Sequence, residues 1–162
     1  LHSGMKDMSE NVFLNIKNKS VTIVADVEVP AGGGEGVILA QGGRFGGWSL
    51  YLKDGKPTYS YNYLGMQRSS VTAQDPLPAG KATVRLEFAY DGGGMGKGGV
   101  GTLYVNDQQV GSGRIERTQA MIFSADETAD VGIDGATPVV EDYRTPRGQF
   151  SGKIGKVTVS VH

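Results

Sequence analysis

Glycine dominates the composition, since it supplies 26 of the 162 residues, more than twice the roughly 7% of an average protein. Because glycine costs about 1 kcal/mol at each helical position relative to alanine, this count argues against helical bundles and helix-rich α/β folds. Sixteen Lys and Arg against 17 Asp and Glu give a net charge of -1, which leaves no electrostatic basis for binding nucleic acid or an anionic membrane. No apolar run approaches the ~20 residues of a membrane span. The absence of cysteine excludes disulfides, thiolate zinc sites and a cysteine nucleophile, and leaves the cellular compartment open.

The first half of the chain is a series of predicted strands. Ser20–Val29 alternates apolar and polar residues with the period of two that marks a strand. Asp54-Gly55 is typical of a tight hairpin turn, because this dipeptide accepts positive φ angles. Two-residue alternation, or a short apolar run between turn signals, predicts the other strands of this half: Gly36–Gln41, Trp48–Lys53, Thr58–Tyr63 and Gln67–Ala73.

The second half continues in the same way. Asn106-Asp107 indicates another two-residue hairpin turn. The alternation of the last strand slips at Gly155-Lys156, which predicts a β-bulge. Arg114–Ala120 forms one helical turn at most. The predicted strands are Lys81–Tyr90, Thr102–Val105, Gln108–Gly111, Met121–Phe123, Asp130–Ile133 and Lys153–Val161.

These elements predict an all-β domain, an antiparallel two-sheet β-sandwich or jelly roll whose long first and last strands are suited to pair. We expect residues 1–18 to be a leader or linker from an upstream domain and residues 19–162 to form the single sandwich domain. Three glycine runs, Gly32–Gly34, Gly42–Gly47 and Gly92–Gly99, are expected to be long loops that contact other domains.

Motifs for catalysis are poorly represented. The GxGxxG spacing at Gly94–Gly99 lacks the helix that a dinucleotide site requires, so a flexible loop is the better interpretation. The two histidines, His2 and His162, stand at the chain ends, which disfavours a Ser-His-Asp triad. The Glu-x-Asp-x-x-Glu pattern of sandwich-fold glycosidases does not occur. No catalytic residue is assigned.

An acidic segment is the one candidate for metal binding. Ca²⁺ takes six to eight oxygen ligands from bent loops, but the spacing here matches no known loop signature. The alternative is a turn in which the carboxylates accept hydrogen bonds from backbone N–H groups. The candidate calcium ligands are Asp126, Glu127, Asp130 and Asp134.

Aromatic and basic residues cluster around the first hairpins. Aromatic faces and a guanidinium suit sugar rings or a protein partner, whereas an ordinary half-buried sheet would carry the same aromatic layer. Both interpretations stay open. The candidate ligand or interface residues are Arg44, Phe45, Trp48, Tyr59, Tyr61, Asn62, Tyr63 and Arg68.

Long, ordered segments over nearly the whole chain resemble the C-terminal region of large bacterial arylsulfatases. The segments are GGRFGGWSLYLKDGKPTYSYNYLG (Gly42–Gly65), LPAGKATVRLEFAYDGGGMGKGG (Leu77–Gly99), TLYVNDQQVGSGRIERT (Thr102–Thr118), FSADETADVGIDGATPV (Phe123–Val139) and the final FSGKIGKVTVSV.

The resemblance implies a concanavalin A-like, lectin-type jelly roll that packs against an upstream sulfatase catalytic domain. In that family the formylglycine nucleophile comes from a Cys/Ser-x-Pro-x-Arg motif, which this chain lacks; Thr145-Pro146-Arg147 does not supply the nucleophile position. We therefore expect a non-catalytic accessory domain with no cofactor of its own beyond a possible structural calcium. The alternative is a carbohydrate-binding module for sulfated glycans, with Trp48 and the tyrosines stacking on sugar rings and Arg44 or Arg68 pairing with sulfate.

Overall fold

The computed structural model describes residues 1–123, 128–135 and 137–162. Two five-stranded antiparallel sheets pack face to face, which confirms the predicted all-β sandwich. Among these residues the helical structure is one 3-10 turn at Pro146–Gly148, and no helix is long and apolar enough to cross a membrane. The strands are β1 (Val21–Val29), β2 (Gly36–Gly43), β3 (Gly46–Lys53), β4 (Lys56–Tyr63), β5 (Gln67–Thr72), β6 (Gly80–Tyr90), β7 (Gly99–Val105), β8 (Gln108–Ile115), β9 (Ala129–Val131) and β10 (Lys153–Val161).

The first sheet has the strand order β10-β1-β6-β7-β8, and the second has the order β5-β4-β3-β2-β9. The first and last strands pair antiparallel, as their lengths suggested. Alternation places one face of each strand in the core between the sheets. The largest fully buried side chains of this core include Ile23, Ile38, Leu39, Trp48, Leu50, Leu52, Tyr59, Leu86, Leu103 and Ile115.

The outer faces of the two sheets differ. In β1 and β6 the outward residues are exposed or half-buried, as expected for a sheet with one solvated face. In contrast, β2 is buried throughout and β3 is buried up to Leu52. Residues 137–150, here called the covering segment, lie over these strands and bury Val139 and Val140 against Val37, Ala40 and Tyr51.

The N-terminal residues are folded onto the sandwich. Phe13 and Ile16 are buried in the main core. Met8 exchanges two backbone hydrogen bonds with Ala129 of β9, and Leu1 exchanges two with Val157 of β10. The segment expected to be a leader or linker therefore covers the side of the sandwich where β9 and β10 are the edge strands.

Local predictions had different outcomes. The bulge at Gly155-Lys156 is confirmed, because the register of β10 shifts against β1 between Ala25 and Val27. The strand predicted at Met121–Phe123 is wrong: the carbonyl of Ile122 accepts a hydrogen bond from the Gln119 side chain, and the N–H of Phe123 donates to a glutamate. Side chains thus take the backbone groups that a neighbouring strand would need.

The glycine run Gly42–Gly47 is not the long loop that we predicted. Both strands of the hairpin extend into it, with Gly42 paired to Gly47 and Gly43 paired to Gly46, so that the connection is two residues long. An added Cβ at Gly42 would lie 2.2 Å from the carbonyl oxygen of Gly46. The glycines allow two backbones to approach closely.

Candidate functional site

The aromatic residues proposed as a binding face lie mostly inside the sandwich. Trp48 is 0% exposed, Tyr59 2% and Tyr61 4%, because they occupy the inward positions of β3 and β4. The Trp48 indole donates a hydrogen bond of 3.1 Å to Gln41 and packs on Phe13 at a ring-centroid distance of 6.3 Å. The structure therefore corrects the hypothesis that these three rings stack on a ligand: they form the aromatic layer of the core.

Burial also changes the chemistry of these tyrosines. Desolvation raises the pKa of the Tyr59 hydroxyl well above its ordinary value. It raises the pKa of Tyr61 as well, although the hydrogen bond from the backbone N–H of Gln119 to the Tyr61 oxygen acts in the opposite direction. Hydroxyls held neutral in this way are not suited to act as bases or nucleophiles at neutral pH. Tyr63, the last residue of β4, is half-buried.

Asn62, proposed as a polar ligand contact, is completely buried. Its amide nitrogen lies within hydrogen-bond distance of three carbonyl oxygens, those of Gly43 at 3.3 Å, Arg44 at 2.8 Å and Val139 at 3.0 Å, and its two N–H groups are shared among them. Its side-chain oxygen accepts a hydrogen bond of 2.8 Å from the N–H of Gly65. One side chain therefore holds together the β2–β3 turn, the β4–β5 turn and the covering segment.

The turns held by Asn62, together with a loop beside them, carry exposed apolar side chains. Gly65 lies against Phe45, since an added Cβ there would be 3.7 Å from the phenyl Cδ1. Gln119 packs against Gly46 and donates a 2.7 Å hydrogen bond to the carbonyl of Ile122, which brings a third loop to the same end of the sandwich. We call the exposed apolar residues of these three loops the apolar tip; with their exposed fractions they are Phe45 71%, Leu64 45%, Met66 76%, Met121 73% and Ile122 60%.

Two arginines flank the apolar tip. Arg44 precedes Phe45 in the β2–β3 turn, and Arg68 pairs with Asn62 across β4 and β5. Both are exposed. Within the described ranges neither guanidinium has an ion-pair partner. Of the eight proposed ligand or interface residues, Arg44, Phe45 and Arg68 are thus the ones that a partner can reach most directly.

Two of the four candidate calcium ligands, Asp130 and Asp134, accept hydrogen bonds from groups of the protein. Asp126 and Glu127 lie outside the described residues. Asp130 accepts hydrogen bonds through both oxygens, from the N–H of Asp7 at 2.6 Å and from the N–H of Gly135 at 3.0 Å. Asp134 accepts from the N–H of Val139 at 2.7 Å and from a tyrosine hydroxyl.

Calcium needs several oxygens that are free to turn toward one ion. Asp130 and Asp134 direct theirs to donors of the protein, which is what the alternative interpretation of a carboxylate-capped turn describes. In the described ranges no three acidic or histidine side chains form a group that could hold a metal ion. The calcium site stays a prediction.

A polar network that the sequence did not predict lies under the covering segment. The Tyr51 hydroxyl donates to Asp142 at 3.0 Å and lies 3.1 Å from the Ser60 oxygen. The Tyr143 hydroxyl donates to the Asp134 carboxylate, and its oxygen lies 2.9 Å from the Ser49 hydroxyl, which can donate to it. Desolvation raises the pKa of both Tyr51 and Tyr143. A signal was present in the sequence, because Ser49, Tyr51 and Ser60 give the second face of the hairpin small or hydroxyl-bearing side chains.

Comparison with known proteins identifies the fold. No protein-family model and no curated protein matches the chain. A heptameric SAP-like pentraxin from Limulus polyphemus superposes with a TM-score of 0.53 at 15% identity, over 98% of this chain and 73% of the pentraxin. The LG4-5 domains of the mouse laminin α1 chain give a TM-score of 0.60 at 16% identity, over 100% of this chain and 39% of the laminin fragment.

A bacterial example is the CBM40 module of the Ruminococcus gnavus IT-sialidase, solved with α2,6-sialyllactose bound. Its TM-score is 0.59 at 16% identity, over 89% of this chain and 78% of the module. None of these structures is a sulfatase. At such low identities the likeness shows the fold alone: the chain is a β-sandwich of the jelly-roll, lectin-like type.

Proposed function

We propose that this chain is a non-catalytic accessory domain that packs against a catalytic domain, and that the catalytic domain is an arylsulfatase of the kind that the sequence resembles. The observation that carries the proposal is the apolar tip. Soluble domains seldom expose several large apolar side chains at one place unless a partner covers them, and here three loops at one end of the sandwich expose five of them. The sequence resemblance supplies the identity of the partner.

The composition of the tip fits a protein interface. Phe45 and Met66 have the size and exposure of residues that enter pockets on a partner, and methionine adapts its shape to irregular surfaces. Arg44 and Arg68 stand at the margin, where interfaces are polar and charge pairs guide association. Asn62 fixes the turns that carry these residues, so the surface is organised before the partner binds.

The partner is tested by the coding sequence upstream of Leu1 and by binding. An in-frame sulfatase domain with a Cys/Ser-x-Pro-x-Arg motif is expected upstream; an initiation codon near Met5 would overturn the sulfatase assignment. With the two domains produced as separate chains, the double variant Phe45→Asp/Met66→Asp should weaken their association by a factor of ten or more. Val100→Asp is the control, because Val100 is also an exposed apolar residue, at 38%, and lies on β7 of the other sheet, away from the tip.

The absence of catalysis is tested separately. The purified chain should not hydrolyse p-nitrophenyl sulfate. Turnover that persists through further purification and follows the protein concentration would overturn the proposal.

The alternative is a carbohydrate-binding module for acidic glycans. It is supported by the likeness in fold to a sialyllactose-bound module and by two exposed arginines, Arg44 next to Phe45 in the chain and Arg68 on β5, since a guanidinium pairs with sulfate or carboxylate and a ring stacks on a sugar. A glycan array distinguishes the two functions. Binding to sulfated glycans that is lost in Arg44→Ala/Arg68→Ala favours the carbohydrate-binding module; no binding, together with association with the sulfatase domain, favours the accessory domain.

A further inference from the structure

The outer edge of β10 is only half occupied. Leu1 lies beside it as a short antiparallel strand: its terminal nitrogen donates to the Val157 carbonyl at 2.7 Å, and the Val157 N–H donates back to the Leu1 carbonyl at 2.9 Å. His2 continues the pairing with Lys156. The two bonds between Leu1 and Val157 fix the direction and the register of the added strand.

Alternation along β10 determines which backbone groups face this edge. Because Val157 directs its N–H and C=O outward to Leu1, Val159 and Val161 direct theirs to the same side, and the residues between them face β1. The hydrogen bond from the His162 N–H to the Ser20 carbonyl at 2.9 Å agrees with this assignment. In the part of the chain that the structure describes, pairing on the outer edge stops at Val157.

An apolar groove runs beside the unpaired half of the edge. Its volume is about 430 Å³, and its lining includes Leu1, Met5, Val12, Leu14, Val157 and Val159. Val12 is 76% exposed and Leu14 44%. Unpaired backbone groups on one side and apolar side chains below are the two features that accept an extended polypeptide strand.

We propose that, in the two-domain polypeptide of the proposed function, the residues that precede Leu1 continue this strand along β10 and fill the groove. The inference rests on the proposed function, because the occupant is the connection from the upstream domain. Leu1 lines the groove, and the antiparallel pairing directs the chain before it toward Val161. Four residues before Leu1, about 14 Å of extended chain, would reach Val161. A second copy is a poorer occupant, since Leu1 and His2 already take half of the edge.

The register predicts the character of these residues. Leu1 packs on the core opposite Val157, so the second and fourth residues before Leu1 face inward, opposite Val159 and Val161. These two positions are expected to be apolar and the other two polar. The linker is therefore attached to the sandwich and limits how far the two domains separate.

Amide hydrogen exchange tests the proposal in the 162-residue chain and in the full-length polypeptide. In the shorter chain the amides of Val159 and Val161 should exchange roughly 100-fold faster than that of Val157. In the full-length polypeptide they should become protected by a similar factor. Unchanged rapid exchange would overturn the proposal, and so would protection in the shorter chain that rises with protein concentration, because a second copy would then be the occupant.

A pair of extensions tests the edge without the upstream domain. Val-Thr-Val-Thr placed before Leu1 puts valine at both inward positions, and Thr-Val-Thr-Val has the same composition in the opposite phase. Protection of Val159 and Val161 is expected with the first extension and not with the second; equal exchange in both would overturn the proposal. If the first extension protects these amides and the upstream domain is not a sulfatase, the strand site stands and the proposed function fails.

Discussion

Asn62 shows how a polar residue predicted for ligand binding can be a structural centre. Its two N–H donors, shared among three carbonyls, and its one accepting oxygen join two turns and the covering segment. Asn62 lies on a strand, as the sequence predicted, and the structure shows that it lies at the end that carries Arg44. Its burial could not be predicted, because Val139, the residue that closes over it, is 77 positions away in the chain.

Replacing Asn62 by alanine should destabilise the fold and disorder the apolar tip. The substitution leaves buried backbone groups without partners, and each such group costs about 1–3 kcal/mol; we expect a loss of roughly 3 kcal/mol in the free energy of unfolding. The measurement is the urea midpoint. Arg68→Ala, at the paired and exposed position on β5, is the control and should stay within about 0.5 kcal/mol of the parent. A parent-like midpoint for Asn62→Ala would contradict the role assigned to its hydrogen bonds.

The buried tyrosines predict instability in alkali. Desolvation raises the pKa of Tyr51, Tyr59, Tyr61 and Tyr143 in the folded chain, whereas in the unfolded chain the same hydroxyls ionise near pH 10. Above about pH 10 the unfolded state therefore binds fewer protons, and the free energy of unfolding falls by up to about 1.4 kcal/mol per pH unit for each tyrosine.

Tyrosinate absorbance and circular dichroism, followed together through an alkaline titration, test this prediction. The absorbance of these four residues should appear only as the fold is lost. Tyr59→Phe, which keeps the ring and removes one ionisable hydroxyl, should move the unfolding midpoint to higher pH. Ionisation of all seven tyrosines in a chain that keeps its folded spectrum would contradict the burial.

Two glycines in the strands, Gly155 and Gly42, differ in how much space the fold leaves for a side chain. Gly155 forms the bulge in β10, yet an added Cβ would meet its nearest neighbour, the Asp26 carbonyl oxygen, at an ordinary 3.5 Å. Gly42 has a positive φ of 87°, and an added Cβ would lie 2.2 Å from backbone. The sequence predicts a bulge at Gly155 and a loop at Gly42. The structure shows that Gly155 adds an extra residue to the strand without crowding, whereas Gly42 lies where two backbones approach closely.

Two alanine variants test this difference. Gly155→Ala should be neutral or stabilising by about 0.5 kcal/mol, because it reduces the freedom of the unfolded chain without strain in the folded one. Gly42→Ala should destabilise by about 3 kcal/mol, from backbone strain and from displacement of the paired strand. Thermal melting of the two variants checks the order. Equal effects would show that the hairpin relaxes more readily than its geometry suggests.

Alternation explains why the strands were predictable and the covering segment was not. A strand such as Lys81–Tyr90 has its period of two within ten successive residues, and the structure places its Val84, Leu86 and Phe88 in the core. The covering segment has no period, and its position depends on distant contacts such as the bond between Tyr51 and Asp142, 91 residues apart. The apolar tip is likewise assembled from three loops that only the folded sheets bring together.

The contacts of residues 1–18 determine whether this segment is part of the folded sandwich domain. Residues 1–18 supply Phe13 and Ile16 to the core, and Glu10 and Lys17 form an ion pair beside Phe123. Backbone bonds from the same segment reach an edge strand in each sheet. The predicted boundary at residue 19 would remove all of these contacts, so it is open to a direct test.

A chain truncated to residues 19–162 should not fold stably. Deleting a buried phenylalanine side chain costs about 3–5 kcal/mol and a buried isoleucine about 2–5 kcal/mol, a combined loss comparable with the 5–15 kcal/mol that stabilises typical domains. The truncation also opens the edges of β9 and β10, and unpaired apolar edges promote aggregation. Urea unfolding and sedimentation of the two chains measure both effects. A truncated chain that is monomeric, with a urea midpoint near that of the parent, would show that the sandwich is complete without this segment and that the segment only lies upon it.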